Sequence, residues 1–403
     1  MGTLARVGSR LTLAQRIFRE GRLGEVIVDV AREALPDRDD VVHPGRPTLS
    51  CRDDHLRAVG STARLQADEL TTAIDGVCHR SPETGGVWAW SDRSLLLMRG
   101  RMTDSADEAF RFDANITAVH QTSANTLLAC LPGRVEMSTD GGLTFSEVLR
   151  LSHPWSIVKT KGLAEDDEGR LLLGEYGNMR DDRGRWESTA WVHSSVDGGA
   201  SWTDTDFLVR AGVDKHVHVV VACGKPARMH LTTGDSRKWH LARRTAIQSV
   251  GRERSWERLS KGPWHLSGYA SVAVTGAATY WGTDYRMGTN FVVVDWHDGR
   301  SARWILGGQL RGNPVTSMGV VGSGTRQYVL VAAREMCARR SRASGLLAFH
   351  ESSREWHTLL IDRGTENKRG PAFGIAQCQA DRGGPPWAHL RLRTKSYALR
   401  PEG

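Results

Sequence analysis

Four acidic residues recur at nearly even intervals along this 403-residue chain: Glu175, Asp235, Asp284 and Glu335, separated by 60, 49 and 51 positions. Each follows a short apolar run: Leu171-Leu-Leu-Gly174, Leu231-Thr-Thr-Gly234, Tyr280-Trp-Gly-Thr283 and Val331-Ala-Ala333. Carboxylates gathered from successive copies of one unit can divide acid–base work: one, held protonated by its surroundings, donates to a leaving oxygen while another attacks or activates water. Tyr176, Tyr285 and Arg334 stand beside these acids. Two histidine-bearing segments, His153-Pro-Trp155 and Lys215-His216-Val-His218, precede further apolar runs, and the period of two in a strand sets His216 and His218 on one side. Carboxylates bond sugar hydroxyls and aromatic rings stack on sugar faces. The expectation is a glycan site with Asp235, Asp284, Glu175 and Glu335 as catalytic candidates. His153, His216, His218, Tyr176, Tyr285 and Arg334 are its substrate contacts.

Other chemistries fit some of the same residues. His153, His216, His218 and one carboxylate are ligand types for manganese or zinc, and a metal could acidify the proton beside a uronate carboxyl in a polysaccharide lyase. Their spacing matches no metal motif, so no metal and no cofactor is assigned. A binding module for a glycan or a protein, without turnover, uses such a surface equally well.

The elements that must position these residues are short strands. From about residue 50, apolar runs of four to seven residues, among them Thr126–Ala129, Val217–Ala222, Phe291–Val294 and Tyr328–Ala333, alternate with Gly, Asp and Ser. Ser138-Thr-Asp-Gly-Gly-Leu-Thr-Phe145 recurs as Ser195-Val-Asp-Gly-Gly-Ala-Ser-Trp202, and worn copies end at Trp256, Trp304 and Trp356. The closing aromatics are spaced by 57, 54, 48 and 52 residues, the length of one four-stranded propeller blade. Asp-Gly-Gly is turn chemistry, since glycine takes a positive φ and aspartate bonds amides across the turn. The fold expected is all-β, a six-bladed or seven-bladed β-propeller over 48–403. Its last blade would join C-terminal strands (373–379, 389–393) to strands from around residues 55–98.

The two sharp copies resemble the Asp box, or BNR repeat, of the sialidase-like β-propeller superfamily. That resemblance implies a structural role for Asp140 and Asp197 in a turn between a blade's third and fourth strands, away from the ligand face. An Arg-Ile-Pro motif and three arginines clamping a carboxylate, as in true sialidases, are not found. The chain is more similar to bacterial glycosyl-hydrolase-like members, which implies a glycoside hydrolase acting on a glycan or glycoconjugate.

Composition sets the remaining bounds. Thirty-nine per cent hydrophobic residues and 14 Trp exclude a disordered chain, and 43 Gly fit a turn-rich one. A net charge of +8 is spread among acids, and with no nucleic-acid-reading motif no nucleic-acid partner is expected. Six scattered cysteines form neither a zinc pattern nor a disulfide framework, and Cys130 and Cys223 read as buried thiols. Residues 1–47 read differently: Leu4, Val7, Leu11, Ile17, Phe18 and Val26 recur at helical spacing among arginines, giving an α-helical extension and linker. Such helices could touch an anionic membrane peripherally, and the missing signal-peptide pattern points to the cytoplasm.

Overall fold

The computed structural model describes residues 40–42, 49–52, 55–58, 63–78, 86–98, 106–180, 182, 184, 187–213, 215–224, 227–234, 238–244, 256–259, 268–284, 290–306, 310, 312–334, 343–362, 373–378, 386–392 and 395–402. The expected N-terminal helices lie outside these residues. The first strands are β1 (Asp40–Val42), β2 (Leu49–Arg52), β3 (His55–Ala58) and β4 (Leu65–Glu69).

Seven four-stranded units then follow. Blade I is β5 (Gly76–Val77), β6 (Val87–Ser91), β7 (Ser94–Met98) and β8 (Ala106–Arg111). Blade II is β9 (Ala118–Gln121), β10 (Leu127–Leu131), β11 (Arg134–Ser138) and β12 (Ser146–Arg150). Blade III is β13 (Leu163–Glu165), β14 (Leu171–Gly174), β15 (Val192–Ser195) and β16 (Thr203–Thr205), trailed by a one-turn helix α1 (Phe207–Arg210). Blade IV is β17 (Val217–Cys223), β18 (Arg228–Thr233), β19 (His240–Arg244) and β20 (Glu257–Arg258). Blade V is β21 (Gly268–Val274), β22 (Ala278–Asp284), β23 (Phe291–Trp296) and β24 (Ser301–Leu306). Blade VI is β25 (Val315–Val321), β26 (Tyr328–Ala333), β27 (Ser344–His350) and β28 (Glu355–Asp362). Blade VII takes β29 (Phe373–Cys378), β30 (Trp387–Leu392) and β31 (Lys395–Pro401), with β4 as its outer strand. The ring is therefore seven-bladed, closed by an early strand on late ones as the sequence indicated. β1 adds a parallel fifth strand to blade V, and β2 and β3 form a separate hairpin.

Burial explains why the apolar runs are strands. A blade is covered on both faces by its neighbours, so its middle strands are apolar without alternation. All residues of β7, β10 and β26 are buried, while β8 and β12, at the rim, are mostly exposed or half-buried. The apolar side chains fall into seven clusters, one at each junction between adjacent blades, including VII with I. Cys130 and Cys223 are buried free thiols, pushed up to about 12 by burial.

The two Asp-Gly-Gly loops join the third and fourth strands of blades II and III. Asp140 accepts hydrogen bonds from the Thr144 amide (3.0 Å), the Leu143 amide (3.1 Å) and the Ser138 and Thr144 hydroxyls, which hold its carboxyl far below the usual range. Asp197 does the same with Ser195 and Ser201 and is held at about 2. Phe145, Trp202, Trp256 and Trp356 each pack at the junction with the preceding blade. Trp304 departs from the repeat: it sits inside β24 and joins the junction with the following blade, edge-on to Trp356 at 5.4 Å.

Neighbouring glycines in one loop give a sharp test. Gly141 (φ +76°) faces open space, whereas a Cβ on Gly142 (φ +87°) would lie 3.1 Å from the Trp88 ring of blade I. Gly141→Ala should cost about 1–2 kcal/mol for its backbone alone. Gly142→Ala adds a tight contact with the Trp88 ring and should melt lower in a thermal unfolding comparison; equal losses would mean the loop does not bear on blade I.

Candidate functional site

In each blade the first strand begins at the end where the second strand finishes, and the Asp-Gly-Gly loops lie at the other end. The residues just before β17 and just after β14, β18 and β22 therefore share one mouth. Backbone bonds fix this edge of blade IV: the Thr189 amide and hydroxyl both donate to the Lys215 carbonyl, and the Val217 amide donates to Glu175 O (2.9 Å). The β17–β18 ladder then slips one residue between Val217 and Val219, placing His218 in a bulge. β21 and β25 slip at the corresponding level, between Tyr269 and Ser271 and between Val315 and Ser317. Bulges bend a strand and re-aim its side chains, and they are frequent beside active sites.

His216 and His218 do lie together, as the strand period implied. Their rings stack at 4.7 Å, their Nε2 atoms are 2.8 Å apart, and both side chains are buried. His216 Nδ1 is 2.6 Å from the Gly177 carbonyl, which can only accept, so Nδ1 carries the proton. In the neutral pair His216 Nε2 is the acceptor, His218 Nε2–H donates to it, and His218 Nδ1 keeps a bare lone pair. Among the described residues that nitrogen has no hydrogen-bond partner. Burial, reinforced by His216, Lys159, Lys238 and Lys215, holds His218 well below the usual histidine range. It is a neutral base set among cations.

The surroundings are aromatic and basic. Tyr176 lies 3.9 Å from the His216 ring, with the Lys159 ammonium 3.7 Å above its own ring. Lys215 and Lys238 are buried, and Lys238 Nζ donates to the Asp284 carbonyl, tying blade IV to blade V. Trp155 lies against Gly177, and His153 stacks on Trp155 at 4.6 Å, so His153 reaches the site at second hand. Gly234 must be glycine here: a Cβ would stand 2.3 Å from His218 Nε2 and 2.7 Å from His216 Nε2.

The acids distribute unevenly. Glu175 is fully buried. Ser152 donates to it from its amide (2.8 Å) and hydroxyl (2.5 Å), and His193 Nε2 stands at 2.8 Å. Burial alone would raise its pKa, but His193 and Ser152 outweigh that and lower it. A carboxylate so fully bonded positions the chain through its carbonyl to Val217. Asp284 ends β22 half-buried, with Oδ1 lacking a hydrogen-bond partner among the described residues. Arg334 follows β26 at the same mouth, two blades from His218, its amide bonded to the Pro314 carbonyl. Asp235, Tyr285 and Glu335 lie outside the described residues.

Sequence reasoning missed Lys159, Lys238 and His193, because none recurs at the blade period; Lys215 was legible only as the neighbour of His216. Among the described residues no three His, Cys, Asp or Glu side chains assemble a metal-ligand set. No described helix is long and apolar enough to cross a membrane.

No protein-family model matches the chain, and no curated protein matches it. Solved structures do. Streptogramin B lyase aligns at TM-score 0.54 and 14% identity, over 84% of this chain and 99% of its own. An ancestral GH74 enzyme aligns at 0.51 and 14%, over 82% of this chain and 45% of that one. YCF48 bound to D1 peptide aligns at 0.50 and 11%, over 88% and 99%. At such identities the likeness is one of fold alone, and it agrees with the β-propeller described above.

Proposed function

We propose that the mouth of blades III–V is a carbohydrate site for an anionic sugar, a uronate-bearing glycan, and that it cleaves the chain by β-elimination. The observation carrying this reading is the bare Nδ1 of His218 amid Lys159, Lys215 and Lys238. In the reaction His218 takes the proton from the carbon next to the uronate carboxyl. The electron pair shifts toward the carboxyl, where lysine ammonium groups stabilise the developing charge. It then returns to form a carbon–carbon double bond as the glycosidic oxygen leaves, and the Tyr176 hydroxyl gives that oxygen a proton. The fold shared with a streptogramin B lyase is compatible with elimination chemistry, and the Asp-box loops keep a kinship with sialidase-like propellers open to the same test. Two-carboxylate hydrolysis is less well supported, since both Glu175 oxygens are taken by Ser152 and His193, and Asp284 is the one candidate acid that the described mouth retains.

The test is a panel of uronate-bearing and neutral polysaccharides, followed by the ultraviolet absorbance of the unsaturated product. Uronate chains should give the chromophore with an initial rate that falls as salt rises, because the attraction is ionic. Cleavage of neutral chains without a chromophore would sink elimination and restore hydrolysis; binding of uronate chains without cleavage would leave a lectin-like module.

A further inference from the structure

The axis of the ring holds a second feature, away from His216 and His218. A cavity of about 340 Å³ is walled in part by Val77, Val119, Val220, Val272 and Ala376, which come from the inner strands of five blades, and His120, Gln121 and Thr160 add polar groups to its lining. Lys161, on the turn leading into β13, also lines it, fixed there by the bond from the Val220 amide to its own carbonyl. Among the described residues the Lys161 ammonium makes no hydrogen bond and no ion pair. Glu165, the carboxylate on the same wall, does not serve it: both its oxygens accept from the Ser123 amide at 2.9–3.0 Å, and one also from the Ser123 hydroxyl.

We infer that this axial cavity binds a small alkyl monocarboxylate, its carboxylate on the Lys161 ammonium and its tail along the valine walls. The polar lining beside the ammonium, His120, Gln121 and Thr160, offers no anion, and a desolvated ammonium is costly unless paired. Consistent with that, burial lowers the Lys161 pKa, with no neighbouring carboxylate opposing the shift. A single cation calls for one negative charge rather than a dianionic phosphate, and the valine and alanine stretch of the wall suits a hydrocarbon tail. The volume lies at the small end of the range that ligand pockets occupy, about 300–1,000 Å³. This site stands apart from the proposed lyase reaction and can fail without it.

The experiment is calorimetric titration of the whole protein with octanoate, 1-octanol and octylamine. Wild type should bind octanoate and not octylamine, whose identical tail carries the opposite charge. Lys161→Met should bind octanoate at least tenfold more weakly while 1-octanol binds both proteins alike, and His218→Ala should bind octanoate as wild type does. Lys161→Met should also melt at or above wild type, since methionine suits the valine walls, and octanoate should raise the melting temperature of wild type alone. Octanoate binding that is absent from wild type, or matched by octylamine, overturns the proposal without any variant. Equal octanoate affinity in Lys161→Met overturns it as well.

Discussion

Lowering the pH from 6.5 to 4 is expected to remove on the order of 5 kcal/mol of folding stability, enough to unfold a protein of ordinary stability. Three histidines cause this. Burial, with Arg228 nearby, lowers His230 to about 4; burial, with Arg391 nearby, lowers His389 to about 3; and His218 is held well below 6.5. Each stays neutral in the fold but takes a proton in the unfolded chain below its ordinary value of 6.5. The unfolded state then binds more protons, so stability falls as pH drops through this window, by up to about 1.4 kcal/mol per pH unit for each group. Glu175 extends the loss further down: its pKa is depressed, so the stability it contributes is present above its ordinary value of 4.5 and fades below it. Urea unfolding at pH 7, 5.5 and 4.5 checks the claim, and His389→Leu should flatten the slope by one proton. A stability unchanged between pH 7 and 4.5 would show that these rings are protonated in place.

The second large effect concerns the proposed reaction. His218→Ala should lower turnover of a uronate chain by about 10²–10⁴-fold, the contribution of a positioned general base. Gly234→Ala should approach the same loss without removing any reacting group. Its methyl must share the space between two nitrogens that are themselves 2.8 Å apart, so the rings separate and the hydrogen-bond chain from His218 through His216 to the Gly177 carbonyl is broken. Both variants should keep the wild-type circular dichroism spectrum. A Gly234→Ala protein with full activity would mean that the histidine pair is scaffolding. In the active protein the rate should stay level as pH falls through 6.5, because the lowered His218 remains unprotonated there, and should drop only as the fold itself fails.

The ring was legible because its physics is local and repeated. Asp140 and Asp197 close their turns with hydroxyls and amides within four residues, so the pattern survives in the sequence as Ser-x-Asp-Gly-Gly. Blades whose loops have lost that grammar, such as the one containing Trp304, could be counted only roughly, hence the choice between six and seven. The acids show the limit of periodicity. It placed Glu175 and Asp284 at the ends of second strands correctly, yet Glu175 bonds Ser152 across 23 residues and His193 across 18. No spacing rule announces that cage. The lysines of the mouth come from three separate loops, and Lys161 reaches the axis through a turn rather than a strand. Their convergence is a property of the closed ring.

Closure of blade VII has a consequence for biosynthesis. The outer strand β4 pairs with β31, and Lys395 meets Glu69 across 326 residues. A ribosome releasing this chain must expose β4, unmatched, while nearly all the other blades are made. Until the final strands emerge, the growing arc has two raw apolar faces, those that later join VII to I. Non-local pairing of this kind slows maturation and leaves the nascent arc open to wrong partners, including another arc of the same protein.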